Sequence, residues 1–474
     1  MLLNRFLFPI LAVLLFSFTA LAGNHQLVPV SADSKEPPKI VREKPPGTAR
    51  LTAFYPPQEL NSICFDSSRN GYCWNGNRPI DYSRKQDVLG VAYRMFVPGL
   101  PIPDWGGWTR YWLNDPFIPA SLVTGDLAYG ITYPLSVRYP VLLATDTCAV
   151  ILVINYEPGT GNNILFVVVN PWDDYSPIHS LIPIPLPWSE LFDFSADIDK
   201  INSGDYRIGL IGKNGLLFID SPDGVQWNLV HHIAFADSLS LLINNPHLAW
   251  GNNGFGAWMS GNLFETTFDY GYSWSGLQTV NIAGIPDSIF AADSIFVPDP
   301  GSPADSVLYV GPAYWCTSAD IGFLIQPDNK MHLATTLLWG PYTDSTHTNF
   351  YPHAKWTGLY DFSSSDLGLS WNPARIWINS GLNPGDVPGN FVFSNEIGLG
   401  QDEQGTIYAA WVDRDPVNPV LSPYPRRSSM ITDYNVDIWA SRSVDGGQTW
   451  SLTPVRVTNN QQVSHYGFPK NATS

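Results

Sequence analysis

Short apolar runs separated by turn residues recur along this chain. The clearest cover residues 88–96, 142–155, 164–170 and 206–220, which are rich in β-branched residues and are bounded by Gly, Asn and Asp. No segment sustains the 3.6-residue apolar period of an amphipathic helix. Short apolar runs with turn chemistry between them are typical of strands. The pattern therefore predicts an all-β fold.

The last part of the chain shows the repeating unit best. Residues 397–401, 405–411, 436–441 and 451–457 each have the length and composition of a strand. Four short strands that follow one another in the chain form one blade of a β-propeller. The earlier runs have the same rhythm, so we expect a single large ring of such blades.

A turn signature precedes the last strand of this unit and recurs earlier in the chain. It has Ser or Thr first, Asp two positions later, Gly four positions later and Trp seven positions later. A shorter fourth copy lacks this Gly spacing. The four copies carry Ser221, Asp223 and Trp227; Thr267, Asp269, Gly271 and Trp274; Ser364, Asp366, Gly368 and Trp371; and Ser443, Asp445, Gly447 and Trp450.

Physical chemistry explains the spacing in this signature. Short Ser, Thr and Asp side chains fold back onto backbone N–H groups that have no partner in the sheet. Gly adopts the positive φ that a Cβ disfavours, and the Trp covers the turn with roughly 150 to 250 Å² of side-chain surface. Each copy is therefore predicted to be a self-capping hairpin.

Asp445→Ala or Trp450→Ala should lower stability by roughly 1 to 4 kcal/mol, with ligand affinity little changed.

These residues resemble the Asp-box of the bacterial-neuraminidase repeats, which occurs in sialidases and in many other β-propellers. The resemblance is clear over residues 190–474 and implies a β-propeller, and the strand-like runs along the chain predict six or seven four-stranded antiparallel blades. In that family the box joins the two outer strands of a blade, away from the central ligand pocket. Successive closing Trp residues are 47, 97 and 79 positions apart. Blade repeats usually span about 40 to 50 residues, so the longer intervals indicate insertions, at 340–358 and 413–433, or an unmarked blade.

The N-terminal region differs from the rest in composition. Residues 1–22 have a short basic segment, an apolar run and a small-residue cleavage pattern, which predict a secretory signal peptide. A transmembrane anchor is the alternative. Residues 23–50 are Pro-rich and polar and predict a linker, and residues 51–474 are assigned to the propeller. At the C-terminus, either the last strand closes the ring or a further domain follows.

Charge excludes two classes of partner. The net charge is −17 and the chain has no basic run, which opposes binding to nucleic acid or to anionic lipid. Apart from the signal peptide, no stretch is apolar and long enough to span a membrane. Aromatic residues make up 14% of the chain, with 18 Trp, so aromatic packing or aromatic ligand platforms are expected.

The four cysteines are too few for a disulfide framework. Cys64 and Cys73 flank a predicted turn and would pair in an oxidising compartment. Cys148 and Cys316 lie in apolar, strand-like contexts and are expected to be buried thiols. No metal motif is found, since His231 and His232 are adjacent in a strand and point to opposite faces, and no cofactor is predicted.

The resemblance to sialidases implies three arginines that bind a sugar carboxylate, the first within a Phe/Tyr-Arg-Ile-Pro motif, and a Tyr nucleophile assisted by a Glu. Arg94 and Arg207 each follow a Tyr, but neither motif has the Pro. Arg375 is a third candidate on a later blade. The planar guanidinium suits this task because it grips a carboxylate through two parallel hydrogen bonds. The alternative is that these arginines face solvent or pair with Asp.

A second candidate site is the aromatic segment that contains Trp105, Trp108, Arg110 and Trp112. In an extended strand Trp108, Arg110 and Trp112 share one face. They would give flat apolar platforms beside a hydrogen-bond donor, as a sugar site requires. The alternative is packing between blades.

Clustered carboxylates are the third candidate. Asp173 and Asp174, and Asp193, Asp197 and Asp199, are the densest groups. Glycoside hydrolysis by most enzymes needs two carboxyls roughly 5 to 10 Å apart, but acidic residues are also common in solvated propeller turns.

The sequence thus predicts a secreted or cell-surface propeller that binds a glycan or an extracellular protein. A glycoside hydrolase, namely an exo-sialidase or a relative, is the first alternative. A structural repeat domain of a larger surface protein is the second. The fold alone does not choose among them.

Overall fold

The computed structural model describes strands and turns between Ile80 and residue 457. The described residues are 80–83, 85–95, 108–114, 123–126, 137–156, 163–172, 180–185, 194–243, 245–281, 295–299, 302–309, 314–340, 358–378, 397–414 and 436–457. The predicted signal peptide, the linker, Cys64, Cys73 and Trp105 lie outside this part of the chain, so those assignments stay predictions.

Six four-stranded antiparallel sheets and one separate hairpin make up the described fold. The first sheet contains β1 (Ile80–Ser83), β2 (Val88–Met95), β3 (Trp108–Asn114) and β4 (Val123–Asp126); the second, β5 (Val137–Ala144), β6 (Cys148–Tyr156), β7 (Asn163–Pro171) and β8 (Ser180–Pro185); the third, β9 (Phe194–Lys200), β10 (Tyr206–Gly212), β11 (Gly215–Ser221) and β12 (Asn228–Ala234). The fourth contains β13 (His247–Trp250), β14 (Gly256–Ser260), β15 (Leu263–Thr267) and β16 (Gln278–Thr279); the hairpin, β17 (Ile295–Asp299) and β18 (Ser302–Tyr309). The fifth contains β19 (Tyr314–Ile325), β20 (Met331–Gly340), β21 (Gly358–Ser364) and β22 (Asn372–Ile378); the sixth, β23 (Gly398–Gln401), β24 (Ile407–Arg414), β25 (Val436–Ser443) and β26 (Val455–Arg456). One short helix, α1 (Asp237–Ser240), precedes β13, and no helix of the described residues is long and apolar enough to cross a membrane.

Each sheet is a meander in which the strands pair in chain order. In the third sheet β10 is buried throughout, β11 nearly so, and the outermost β12 is mostly exposed. Strands buried on both faces are apolar at nearly every position, which is why 206–220 forms a continuous apolar run. The predicted all-β propeller of four-stranded antiparallel blades is confirmed.

Contacts between first strands, and in the first sheet also between its second strand and β5, join consecutive sheets. They link β2 and β1 to β5, β5 to β9, β9 to β13, β13 to β19, and β19 to β23. None of these five interfaces joins the sixth sheet to the first, so they do not confirm the predicted total of six or seven blades in a closed ring.

Two first-strand aspartates reinforce these interfaces. Asp81 accepts a hydrogen bond of 2.7 Å from the backbone N–H of Ala144 in the second sheet. Asp197 accepts one of 2.8 Å from the backbone N–H of Trp250 in the fourth. A carboxylate that accepts a backbone N–H makes a charge-assisted bond, which is stronger than a neutral one. Asp197, a candidate acid from the sequence, therefore binds one sheet to the next.

The four signature turns all join the third and fourth strands of their sheets. In each, the Ser or Thr hydroxyl donates to the Asp two residues later, at 2.7 to 3.0 Å. The same hydroxyl accepts the N–H of the turn glycine, at 2.8 to 3.0 Å. The closing indole donates to that glycine's carbonyl in three of the turns, whereas Trp450 Nε1 is buried without a partner.

These turns also touch the preceding sheet. A Cβ placed on Gly271 would lie 2.4 Å from the Phe218 ring, and one on Gly368 would lie 2.5 Å from the Phe264 ring. In the second sheet, the buried Cys148 thiol donates to the carbonyl of Gly224 at 3.2 Å. Each signature turn is therefore a joint between sheets as well as a cap.

The turn carboxylates give a prediction about pH. Hydrogen bonds from the Thr449 hydroxyl and backbone lower the pKa of Asp445 from 3.8 to about 2. Because the folded state lowers this pKa, the stabilisation is complete well above pH 3.8 and is lost as pH falls toward 2. The difference in unfolding free energy between wild type and Asp445→Asn should be constant near neutral pH and shrink in acid. A difference that persists at pH 2 would contradict this.

Candidate functional site

The meander topology gives the sheets two distinct ends. The four signature turns and the turns between first and second strands lie at one end, here called the box end. Connections between second and third strands, and those between sheets, lie at the other end, here called the loop end. The ends of β20 and β24 and the starts of β21 and β25 lie at the loop end, and most of the two predicted insertions falls between them in the sequence. The corresponding connections in the third and fourth sheets have only two residues, 213–214 and 261–262. Long connections on a rigid scaffold commonly carry function. The loop end is therefore the favoured location for a ligand site.

The first sheet brings the sequence candidates to this end. Arg94 pairs with Thr109, and Trp108 pairs with Met95, where β2 finishes and β3 begins. Arg110 pairs with Tyr93 on β2 and Asp126 on β4. The backbone register thus gathers Arg94, Trp108 and Arg110 near the loop end of one sheet.

The two faces of the first sheet have different neighbours. Val88 and Ala92 are buried against Leu142 and Ile151 of the second sheet. Ala92 pairs with Tyr111, whereas Trp112 pairs with Val91, and directly paired residues share a face. The register therefore places Trp108, Arg110 and Trp112 at positions on the other face of the first sheet from Val88 and Ala92. The two interpretations of this segment, a sugar site and packing between blades, both stay predictions.

Arg207 has a different role from the one that the sialidase resemblance implies. It is 1% exposed, and its guanidinium grips Asp220 through two bonds of 2.7 Å. It also donates to the Tyr270 carbonyl at 2.9 Å and to the Tyr272 hydroxyl at 2.7 Å, both in the fourth sheet. All three of its nitrogens are thus bonded within the protein. Arg207 joins two sheets, and the paired donors that a sugar carboxylate would need are already used by Asp220.

A stack of rings extends this joint. The Arg207 guanidinium lies 4.5 Å from the Tyr272 ring centre, and His231 is stacked between Tyr272 and Phe218 at 4.7 and 4.3 Å. His231 Nε2 lies 3.1 Å from the Gly271 carbonyl. Burial lowers the pKa of His231, so the ring is neutral near pH 7 and packs as an aromatic. His232 faces solvent on the other side of the strand.

Arg375 lies on β22, the outermost strand of the fifth sheet, and is exposed. Arg375 and Arg207 thus belong to different sheets and different strand positions. The structure does not bring them together, and the side chain of Arg94 lies outside the described part. The three-arginine site stays a prediction for Arg94 alone.

Only some of the carboxylate candidates belong to the described part of the chain. Asp173, Asp174 and Asp193 lie outside the described residues. Burial, with a smaller contribution from Asp197, raises the pKa of Asp199 to about 6. Asp199 is half-buried on the first strand of its sheet, near the box end. Burial and the nearby charge of Asp199 raise the pKa of Tyr270. Asp197 and Asp199 share a strand face, but the Asp197 carboxylate already accepts a hydrogen bond from the backbone N–H of Trp250.

A cluster that the sequence did not single out lies at the loop end between the fifth and sixth sheets. The Trp377 ring centre is 6.5 Å from Trp411 and 6.4 Å from Trp439. The buried carboxylate of Asp437 pairs with Arg456, whose guanidinium lies over Trp439 at 5.9 Å. Because side chains alternate along a strand, the sequence of β25 could have indicated that Asp437 and Trp439 share a face. Their partner Arg456 lies on β26, so no signal in the sequence indicates this contact.

The described residues contain no group of three or more His, Cys, Asp or Glu side chains that could hold a metal ion. Cys148 is buried and unpaired, and burial raises the pKa of its thiol. It is therefore a structural thiol in this fold, while the side chain of Cys316, on β19, is not described.

Comparison with known proteins gives only distant structural similarity. No protein-family model matches the chain, and no curated protein matches it in sequence. A PL25 ulvan lyase structure has 10% identity and a TM-score of 0.39 over 80% of this chain and 82% of its own. An α-L-arabinanase from Penicillium chrysogenum has 12% identity and a TM-score of 0.34 over 68% and 80%. An endo-arabinase from Bacteroides thetaiotaomicron has 11% identity and a TM-score of 0.28 over 75% and 96%. These structures are described as those of a lyase, an arabinanase and an endo-arabinase, and the resemblance to sialidases in particular is not confirmed.

Proposed function

We propose that this protein is a secreted or cell-surface β-propeller that binds a glycan at its loop end. The observation that carries the proposal is the face of the first sheet that holds Trp108, Arg110 and Trp112. This face is opposite the one packed against the second sheet. Flat aromatic rings beside an arginine offer a sugar both apolar contact and hydrogen bonds.

The structural roles of residues at the two ends support the loop end as the place where the ligand binds. At the box end, the polar groups of the signature are used by the turns themselves and by contacts with the preceding sheet. The strand ends that flank the two predicted insertions lie at the loop end of the fifth and sixth sheets. Binding without hydrolysis is favoured because Arg207 is occupied within the protein and Arg375 lies on an outer strand.

Secretion rests on the leader-like composition of residues 1–22. The net charge of −17 directs the choice of glycan, since it disfavours long-range attraction of strongly anionic chains. Neutral polysaccharides such as arabinan, xylan and β-glucan are therefore the first candidates, with sialosides as the comparison.

Binding to a polysaccharide panel tests the proposal. Trp108→Ala and Trp112→Ala should each weaken the affinity for the best ligand by about tenfold or more, because a lost stacking partner removes roughly 1 to 2 kcal/mol. Tyr82→Ala is the matched control, since Tyr82 is an exposed aromatic at the box end of the same sheet. Equal losses in all three variants, or no binding by any polysaccharide, would refute the proposal.

A further inference from the structure

The joint between the fifth and sixth sheets contains two buried polar groups that are not hydrogen-bonded. Trp411 on β24 is 0% exposed, and Thr336 on β20 is 3% exposed. The Trp411 indole N–H and the Thr336 hydroxyl both lack a hydrogen-bond partner within the described part of the chain. Buried polar groups in native proteins are nearly always satisfied, either by protein groups or by ordered water. These two groups therefore require a partner that neither sheet supplies.

Register and alternation place both groups on the facing surfaces of this joint. Thr336 pairs with Leu359 on β21, and Leu359 pairs with Trp377 on β22. Directly paired residues share a face, so these three side chains form one row across the fifth sheet. Leu359, Trp377 and Trp411 belong to one buried cluster, and the Trp377 and Trp411 ring centres are 6.5 Å apart. The Trp411 indole thus packs against the row that contains Thr336.

The cross-strand neighbour of Trp411 explains why its indole lacks a side-chain acceptor. In the fourth sheet, Trp258 on β14 pairs with Glu265, and its indole donates to that carboxylate at 3.0 Å. Trp411 pairs instead with Trp439, and an indole has a donor but no acceptor. The strand pair that carries Trp411 therefore offers no side-chain acceptor at this position.

We propose that Trp411 and Thr336 bind one buried water molecule between the fifth and sixth sheets. The water oxygen accepts the indole N–H, and the water donates one of its protons to the Thr336 hydroxyl. The enclosure of both groups favours water over a larger ligand, and internal waters typically bind buried polar groups that lack other partners. This water links the two sheets and is separate from the glycan site proposed on the first sheet.

A double-mutant cycle on the full chain tests the bridge. Trp411→Phe removes the indole N–H, Thr336→Val removes the hydroxyl with little change of shape, and denaturant unfolding gives the folding equilibrium constant of each variant. Two groups that share one bridging water are energetically coupled. The loss in the double variant should therefore be smaller than the product of the two single losses by about threefold or more.

Trp450→Phe combined with Thr336→Val is the matched control cycle. The Trp450 indole N–H is also buried without a partner in the described chain, but Trp450 closes the signature turn at the box end of the sixth sheet. Distant groups contribute independently, so the losses in this cycle should multiply to within about twofold.

Magnetic resonance of isotope-labelled tryptophan indoles gives an independent measurement. The Trp411 signal is identified by its loss in Trp411→Phe, and its N–H should show an Overhauser effect to water that is lost in Thr336→Val. Independent losses in the Trp411 and Thr336 cycle, or no transfer from water to the Trp411 N–H, would overturn the proposal. If Trp411→Phe fails to fold, the signal is assigned through the backbone, and the comparison of wild type with Thr336→Val still decides.

Discussion

Gly447→Ala should lower the free energy of unfolding by about 2 to 5 kcal/mol. Gly447 has a φ of +85°, a conformation that costs an L-residue roughly 1 to 2 kcal/mol. Its added methyl would overlap the buried Asp361 and His332, 2.5 and 2.6 Å away. Overpacking of this kind costs about 1 to 3 kcal/mol. Denaturant unfolding measures the total.

Gly276→Ala is the control that separates the two contributions. Gly276 has a φ of +84°, and nothing lies within 4 Å of the position that an added Cβ would occupy. This variant should lose only the conformational part, about 1 to 2 kcal/mol. Equal losses in the two variants would show that the turn glycine does not dock on the preceding sheet.

Arg207→Met should lower the free energy of unfolding by about 3 to 5 kcal/mol, as expected when one partner of a buried ion pair is removed. The substitution leaves Asp220 without its two bonds and the Tyr270 carbonyl and Tyr272 hydroxyl without a donor. Methionine keeps much of the apolar volume, so the loss reports mainly on the polar contacts. Thermal or denaturant unfolding measures it.

Arg442→Met is the matched control for this prediction. Arg442 is an exposed strand arginine, and surface substitutions usually change stability by no more than about 0.5 kcal/mol. If Arg207→Met folded with wild-type stability but lost glycan binding, Arg207 would be a ligand residue and the structural role would be wrong.

Features that depend on neighbouring residues could be predicted from the sequence. The turn hydroxyl, the Asp and the glycine lie within four positions of one another, so their hydrogen bonds follow from local geometry. The strands of the last unit were visible for the same reason. The all-β propeller with four-stranded blades followed from these local patterns.

Contacts between sheets could not be predicted in this way. The Tyr270 carbonyl is 63 positions from Arg207, and the short Tyr-Arg-Ile motif contains no sign of it. Gly224 is 76 positions from Cys148. That Gly447 rests on Asp361 and His332 depends on how the sixth sheet docks on the fifth. These residues looked like ligand groups or simple turn residues because their partners belong to another sheet.

Hydrogen exchange with and without a bound oligosaccharide locates the ligand on the propeller. We expect slower exchange at the loop end of β2 and β3, around Arg94 and Trp108. We expect unchanged exchange in the four signature turns at the box end. Protection confined to those turns, with none in β2 and β3, would contradict the claim that the box end is structural and the loop end binds the ligand.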